Sequence, residues 1–223
     1  DTENELVELG IKYSPAGTPW YADASIFEQS RSLRNRDGSN TGILAKGFEA
    51  QVYYQGDELW ANLGYSYLDA RYDDSASAQD SQQVADAFDN SRPDIIQGTG
   101  LGAPNFAGFS ASNQRVQGIP QQTVSASAGY QILDNWDISG SAIYSKSYPL
   151  DYLATVLIRD QITLNLSTNV ALTEQSSLRL AIQNLTDEKN WRPVFEGGYF
   201  GSTLVFPELP RFVQLSYTYN FKE

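Results

Sequence analysis

The sequence predicts an all-β protein built from an antiparallel sheet of about nine strands. Three observations lead to this prediction. Apolar and polar residues alternate with a period of two along most of the chain, helical spacing is scarce, and the connections between alternating segments differ regularly in length. The segments are roughly 10 to 14 residues long, whereas strands of soluble sheets are typically about 5–6 residues long. Strands of the greater length are typical of tilted membrane-crossing strands.

The alternation gives each segment one apolar face. In the first segment Leu9, Ile11 and Tyr13 alternate with polar residues or glycine, and residues 20–33 are extended but less cleanly patterned. The later apolar faces are, in chain order, Leu44, Phe48, Ala50, Val52 and Tyr54; Leu59, Ala61, Leu63, Tyr65 and Tyr67; Val124, Ala126, Ala128 and Tyr130; Trp136, Ile138, Gly140, Ala142 and Tyr144; Ile162, Leu164, Leu166, Val170 and Leu172; and Leu209, Val213, Leu215, Tyr217, Tyr219 and Phe221.

Short and long connections take turns along the chain. We predict short turns at residues 14–19, 55–58, 133–135 and 173–177, and long connections at residues 34–42, 72–118, 147–160 and 186–208. Outer-membrane barrels have short turns at the periplasmic end and long loops at the extracellular end. The pattern therefore predicts an antiparallel transmembrane β-barrel in the bacterial outer membrane, with the C-terminus in the periplasm.

Aromatic residues collect near both ends of the apolar segments, as in the interfacial girdles of a membrane barrel. A general preference of aromatics for strands is the alternative explanation. Near the short turns lie Tyr13, Trp20, Tyr54, Trp60, Tyr130, Trp136, Tyr219 and Phe221. Near the long connections lie Tyr67, Tyr72, Tyr144 and Tyr148.

Composition excludes several functions. The 223 residues carry a formal net charge of −12 and include no Cys and no His. Nucleic-acid binding needs a basic face, which argues against nucleic acid as a partner. The chain also lacks the cysteines and histidines that zinc–thiolate sites and the common Cys- and His-dependent catalytic centres need. We therefore expect neither an enzyme nor a resident cofactor or metal.

Several strings resemble the TonB-dependent outer-membrane receptors. Glu5, Glu8, Gly10 and Lys12 are similar to a glutamate-rich strand of that family. Further similar strings are GFEAQVYY (residues 47–54), ANLGYSYLDARY (61–72), GIPQQTVSASAGYQI (118–132), the "NxxDxxY/W" pattern of Asn184, Asp187 and Trp191, and PELPRFVQLSYTYNF (207–221). Each string is weak alone, but their order along the chain makes the resemblance strong.

This resemblance covers residues 1–223 and implies the C-terminal portion of a 22-stranded barrel closed around an N-terminal plug. The plug and the earlier strands have no counterpart in the chain. The family implies active, TonB-driven uptake of a scarce ligand, with a ferric siderophore as the default ligand and TonB acting through the absent plug. Lipid and lipopolysaccharide are the other expected partners.

Candidate ligand-binding residues lie in the long connections, because receptors of this family hold their ligand there. Aromatic side chains and arginines suit an anionic iron chelate, although packing among the loops is the alternative role for any one of them. The candidates are Phe106, Phe109, Arg115, Trp191, Arg192, Phe195, Tyr199 and Phe200.

Two other functions remain open from the sequence. A passive porin or a small structural barrel would use the same two-faced strands. A soluble β-rich binding module would instead pack its apolar faces against each other.

Overall fold

The computed structural model describes residues 3–34, 40–73, 112–150, 157–193 and 205–221, and these ranges are all-β. The long strands are β1 Asn4–Tyr13, β2 Trp20–Arg34, β3 Asn40–Gln55, β4 Leu59–Tyr72, β5 Gln122–Leu133, β6 Trp136–Ser145, β9 Gln161–Thr173, β10 Ser176–Gln183 and β13 Phe212–Tyr219. These nine strands form one sheet in that order, and every neighbouring pair is antiparallel.

Four shorter strands lie in the connections. β7 (Tyr148–Pro149) pairs with β8 (Leu157–Ile158), and β11 (Trp191–Pro193) pairs with β12 (Val205–Pro207). The predicted all-β class and the nine long antiparallel strands are confirmed. Within the described ranges, no helix is long and apolar enough to cross a membrane.

One face of the sheet is apolar over its whole width. The register places Val52, Leu63, Ala126, Ala142 and Leu164 directly opposite one another across β3, β4, β5, β6 and β9. Large apolar side chains on this face are exposed, including Leu9 at 72% and Leu215 at 67%. Soluble monomers rarely expose so extensive an apolar surface.

The opposite face is polar, and the same strands build it. One row joins Tyr53, Asn62, Ser127, Ser141 and Asn165 across five strands. Strand geometry produces both faces at once, because successive side chains point to opposite sides. Charged residues on the polar face include Glu8, Lys12, Arg31, Glu49 and Arg179.

The short turns lie where they were predicted, at residues 14–19, 56–58, 134–135 and 174–175 between consecutive strands. The prediction of a long connection at 34–42 is wrong. β2 and β3 pair as far as Arg34 and Asn40, so only residues 35–39 connect them. The ladder continues through polar residues beyond the apolar band, where hydrophobic alternation gives no signal.

The aromatic bands are only partly as predicted. Trp20 and Tyr54 pack on the apolar face with ring centroids 4.7 Å apart. Trp60 lies instead on the polar face, where a β-carbon at the opposing Gly129 would overlap its indole. Near the long connections, Tyr72 and Tyr148 are buried in local clusters and do not belong to a girdle.

A small apolar cluster covers part of the polar face at the long-connection end. Ala45, Ala70 and Tyr72 from β3 and β4 pack with Val116. Residues 113–121 reach this position by hydrogen bonding along β4: the Val116 N–H donates to the Ala70 carbonyl at 2.9 Å. The segment therefore belongs to the sheet, although the sequence placed most of it in a loop.

Candidate functional site

The connection after β10 is fastened by one buried side chain, Asn184, which is 4% exposed. Its Nδ2 donates to the carbonyls of Glu188 at 2.9 Å and Leu209 at 3.1 Å, and its Oδ1 accepts from the Glu188 N–H at 2.9 Å. Leu209 lies at the far end of the connection. The Asn184 amide therefore links the outgoing and the returning part of this connection.

Asp187 makes the second fastening. Its carboxylate accepts a hydrogen bond from the Arg211 N–H at 2.9 Å, just before β13 begins. Asn184 and Asp187 both have positive φ angles, 49° and 57°, a conformation that Asn and Asp tolerate better than most residues. The Asn184–Asp187 pattern in the sequence thus encodes the stem of this loop.

The next residues place an aromatic ring and a cation above the stem. Asn190, 5% exposed, donates to the Ile162 carbonyl at 2.6 Å. Trp191 and Arg192 then form β11, and Trp191 is 39% exposed. Arg192 Nε lies 3.0 Å from Glu208 Oε1, with much of its guanidinium side chain accessible. An exposed pair of this kind is weak, so Arg192 can still meet an anionic ligand.

A charged clasp closes the connection between β6 and β9. Asp160 accepts hydrogen bonds from the Tyr144 hydroxyl at 2.6 Å, Lys146 Nζ at 2.9 Å and the Ser147 N–H at 2.9 Å. The hydrogen bond from Tyr144, followed by those from Lys146 and Ser147, lowers the pKa of Asp160 from 3.8 to about 2. The hydrogen bond to Asp160 raises the pKa of Lys146.

Acidification is expected to open this clasp. Because the pKa of Asp160 is depressed in the folded protein, its contribution is present above about pH 4 and is lost as the pH falls through about 2. Hydrogen exchange at the Ser147 amide should therefore become less protected over that interval, relative to its intrinsic rate. Asp160→Asn should show the weaker protection already at neutral pH, and protection that stays constant down to pH 2 would contradict the proposed role of the carboxylate.

Arg115 ties the segment before β5 to the next connection. It lies opposite Arg71 in an isolated antiparallel bridge, and its Nη2 donates to the Ser147 carbonyl at 3.3 Å. Gly118, with φ of 74°, donates its N–H to the Pro149 carbonyl at 2.7 Å. These bonds hold residues 113–121 against the start of the β6–β9 connection.

The β6–β9 connection is tied in turn to the one after β10. Arg159 Nη2 donates to the Lys189 carbonyl at 2.9 Å. Tyr148, in the β6–β9 connection, is almost fully buried, and this burial raises its pKa. The negative charge of Glu208, in the connection after β10, also raises the pKa of Tyr148. Three long connections therefore meet at the same end of the strands.

Next to these connections, the polar face of the sheet contains a groove of about 540 Å³. Hydroxyl and amide side chains line it together with apolar ones such as Trp60, Leu166 and Ile182, and Arg179 and Glu208 add charge. Ser139 and Ser167 bond to each other at 2.8 Å, and Asn165 Nδ2 donates to Ser141 at 3.2 Å. Such a surface can hold water and polar ligand groups. Among the described residues, no group of three or more acidic, His or Cys side chains could hold a metal ion.

The structure locates three of the eight predicted ligand residues. Trp191 and Arg192 are adjacent in β11, while Arg115 lies in a different connection and contacts neither of them through any described hydrogen bond. The remaining predictions, Phe106, Phe109, Phe195, Tyr199 and Phe200, lie outside the described residues.

Sequence reasoning missed the anchors of these loops. Asn190 and Asp160 had no pattern that marked them, because their partners come from other strands. Asn184 and Asp187 were marked only as a family signature, and the structure supplies the physical reason for it.

Comparison with known proteins shows which solved structures share this fold. No family model matches the chain, and no curated protein matches its sequence. The siderophore receptor PiuA from Acinetobacter baumannii matches with a TM-score of 0.73 and 15% identity, over 97% of this chain and 28% of that one. The ferric yersiniabactin uptake receptor FyuA from Yersinia pestis matches with a TM-score of 0.74 and 14% identity, over 99% and 30%. The ferric-catecholate import receptor Fiu from E. coli K12 gives 0.67 and 16%, over 99% and 28%.

At these identities the likeness establishes the fold alone. The chain has the fold of one part of the barrel of these receptors, and it spans somewhat less than a third of their length. The fold expected from the family resemblance is confirmed.

Proposed function

We propose that this chain is the C-terminal part of the barrel of a TonB-dependent outer-membrane receptor that actively takes up a ferric siderophore. The observation that carries the proposal is the nine-stranded, two-faced sheet, which matches siderophore receptors over nearly its full length. In this proposal the apolar face meets lipid, the polar face lines the lumen around a plug, and the short turns and C-terminus are periplasmic.

The convergence of the long connections supports a ligand site at the outer edge. Bonds from Arg115 to Ser147 and from Arg159 to Lys189 join neighbouring connections into one surface. Trp191 offers a partly exposed ring and Arg192 an accessible guanidinium on that surface. Aromatic contact combined with positive charge suits an anionic iron chelate.

Strand parity argues against a small complete barrel, the principal alternative. In a sheet of nine antiparallel strands, the edge strands β1 and β13 run in the same direction. Direct pairing between them would be parallel, whereas single-chain bacterial barrels have even numbers of antiparallel strands. An odd number of further strands would give both edges antiparallel partners.

Uptake of radioactive iron tests the function. Cells that lack the gene should fail to accumulate at least one ferric siderophore, and loss of TonB should abolish the same uptake. Unchanged uptake of every ferric chelate tested would remove the siderophore assignment. Uptake that persists without TonB would instead favour the passive porin.

Loop substitutions test the site itself. Replacing Trp191 with Ala and Arg192 with Gln in the whole receptor should weaken binding of that ferric siderophore by about tenfold or more, since each loses a contact worth more than about 1 kcal/mol. Trp20→Ala is the matched control, because Trp20 is an exposed tryptophan at the opposite end of the sheet. If the variant at Trp191 and Arg192 binds the ferric siderophore as tightly as the Trp20→Ala control does, the ligand binds elsewhere.

A further inference from the structure

The groove on the polar face joins the loop stem to one arginine inside the sheet. Its lining includes Asn184, Asn190 and Glu208 at the long connections and Arg179 on β10. Arg179 precedes Asn184 by five residues, which is roughly 17 Å along a strand. The groove therefore extends from beside the candidate ligand site to a guanidinium well inside the face that we assign to the lumen.

Arg179 lies in a wall that is otherwise nearly free of charge. Asn169 on β9 and Ser216 on β13 are directly opposite it on its two sides. In the described strands from β4 to β13 of the large sheet, the polar face carries one other charged side chain, Asp137. Asp137 lies two strands away and accepts a hydrogen bond from Asn169 at 3.2 Å. With the described residues, the Arg179 guanidinium forms neither an ion pair nor a hydrogen bond.

An exposed guanidinium in an uncharged wall attracts anions. Arg179 is exposed, and a guanidinium has five N–H donors that bond more strongly to an anionic acceptor than to a neutral one. The hydroxyl and amide groups around it can bond to a bound anion but cannot neutralise the positive charge. Lys12 on β1, by contrast, lies directly opposite Asp23 on the same face, so its charge has an acidic neighbour.

We propose that Arg179 is a second binding position for an anionic iron chelate, which the chelate reaches along the groove after it leaves Trp191 and Arg192. The inference rests on the proposed function, since it takes the polar face as the lumen and a ferric chelate as the ligand. The two arginines bind the same negative charge in turn, one at the outer end and one inside the lumen. Loss of the inner arginine therefore slows transfer through the barrel and leaves capture at the outer end unchanged.

Uptake by whole cells separates capture from transfer. The probes are radioactive ferric citrate, an anionic ferric tris-catecholate and a neutral ferric tris-hydroxamate, given to cells that produce the whole receptor. For each anionic complex taken up, Arg179→Gln should lower the maximum uptake rate about fivefold or more, while its dissociation constant on energy-depleted cells stays within about twofold.

Arg31→Gln is the matched control for this uptake measurement. Arg31 is an arginine on the same face, but it is not among the residues that line the groove, and its replacement should leave the uptake rate unchanged. Equal uptake rates for Arg179→Gln and Arg31→Gln would overturn the proposal. Uptake that is confined to the neutral complex would overturn it as well.

A second measurement detects the anion beside Arg179 and excludes a purely structural role. Ser216→Cys places a thiol directly opposite Arg179, in a purified whole receptor without other reactive thiols. Relative to a free thiol, it should prefer an anionic over a neutral thiosulfonate reagent about threefold or more. Ferric citrate should slow this reaction, and Arg179→Gln should remove both effects.

The outcomes distinguish the inner site from the proposed function. If an acidic group of the plug neutralises Arg179, the thiol will show neither the preference nor the protection, and the inner site is refuted. If the unaltered receptor takes up a ferric chelate but Arg179→Gln behaves like Arg31→Gln, the inner site fails and the proposed function stands. If the unaltered receptor takes up no ferric chelate, both fail.

Discussion

An arginine in place of Ala126 is expected to prevent assembly of the protein in the membrane. Ala126 lies in the middle of the apolar face, directly opposite Leu63 on one side and Ala142 on the other. A basic side chain that faces lipid near the midplane of the bilayer costs about 2–4 kcal/mol in a membrane barrel. The arginine side chain would have no polar partner beside it, since the flanking strands carry apolar residues on the same face. The folded, heat-modifiable band of the protein on a gel should be strongly reduced.

The neighbouring residue provides the matched control. Ser127 differs from Ala126 by one position and therefore lies on the polar face, opposite Asn62 and Ser141. Ser127→Arg should leave the folded band nearly unchanged, because its charge would lie among hydroxyl and amide groups that line a groove. Urea unfolding of both variants in phosphatidylcholine vesicles gives the free-energy difference. Equal destabilisation by both substitutions would show that the two faces are not distinguished by their solvent.

Hydrophobic alternation predicted the apolar face of seven of the nine long strands, and it assigned no face to β2 and β10. Each strand face assigned from the sequence, from Leu9 in β1 to Tyr219 in β13, meets its neighbours in one register. This works because the period-two pattern is imposed by burial on one side, and a slip of one residue would expose every apolar side chain to the wrong medium.

Hydrophobic alternation did not predict contacts that lie beyond the apolar band or on the polar face of the sheet. β2 and β3 continue to Arg34 and Asn40 through polar residues, and Trp60 fits the polar face because Gly129 leaves space for its ring. Val116 packs on Tyr72 across a long stretch of sequence. The contacts of Trp60 and Val116 depend on partners that are distant along the chain, and the end of the β2–β3 ladder consists of polar residues, so hydrophobic periodicity could not identify any of them.

The candidate site was predictable by residue type but not by geometry. Trp191 and Arg192 were identified as an aromatic and a cation in a long connection, and both are accessible. Their position depends on hydrogen bonds that Asn184 and Asn190 make to backbone carbonyls. Side-chain bonds to the backbone leave no periodic trace in a sequence, and only the family signature marked Asn184.

The loop stem after β10 is expected to open when Asn184 is replaced by alanine. The substitution removes three side-chain hydrogen bonds and leaves the Glu188 N–H and the Leu209 carbonyl without their partner. Each lost hydrogen bond contributes about 0.5–1.5 kcal/mol. Alanine must also adopt the φ of 49° that asparagine tolerates. We expect the free energy of local opening to fall by about 3 kcal/mol, which corresponds to roughly hundredfold faster hydrogen exchange at the Glu188 amide.

Asn184→Gly separates the two causes of this effect. Glycine adopts a positive φ without strain, so any opening that remains in this variant is due to the lost hydrogen bonds. We expect most of the faster exchange to remain. If the proposed siderophore site is correct, binding of the ferric siderophore should also weaken, because Trp191 is positioned by the same stem. Asn169→Ala is the matched control: its amide makes an exposed bond to Asp137 at 3.2 Å on the same face, toward the short turns. Near-normal exchange at Glu188 in the glycine variant would mean that backbone conformation, and not the Asn184 amide, holds the loop in place.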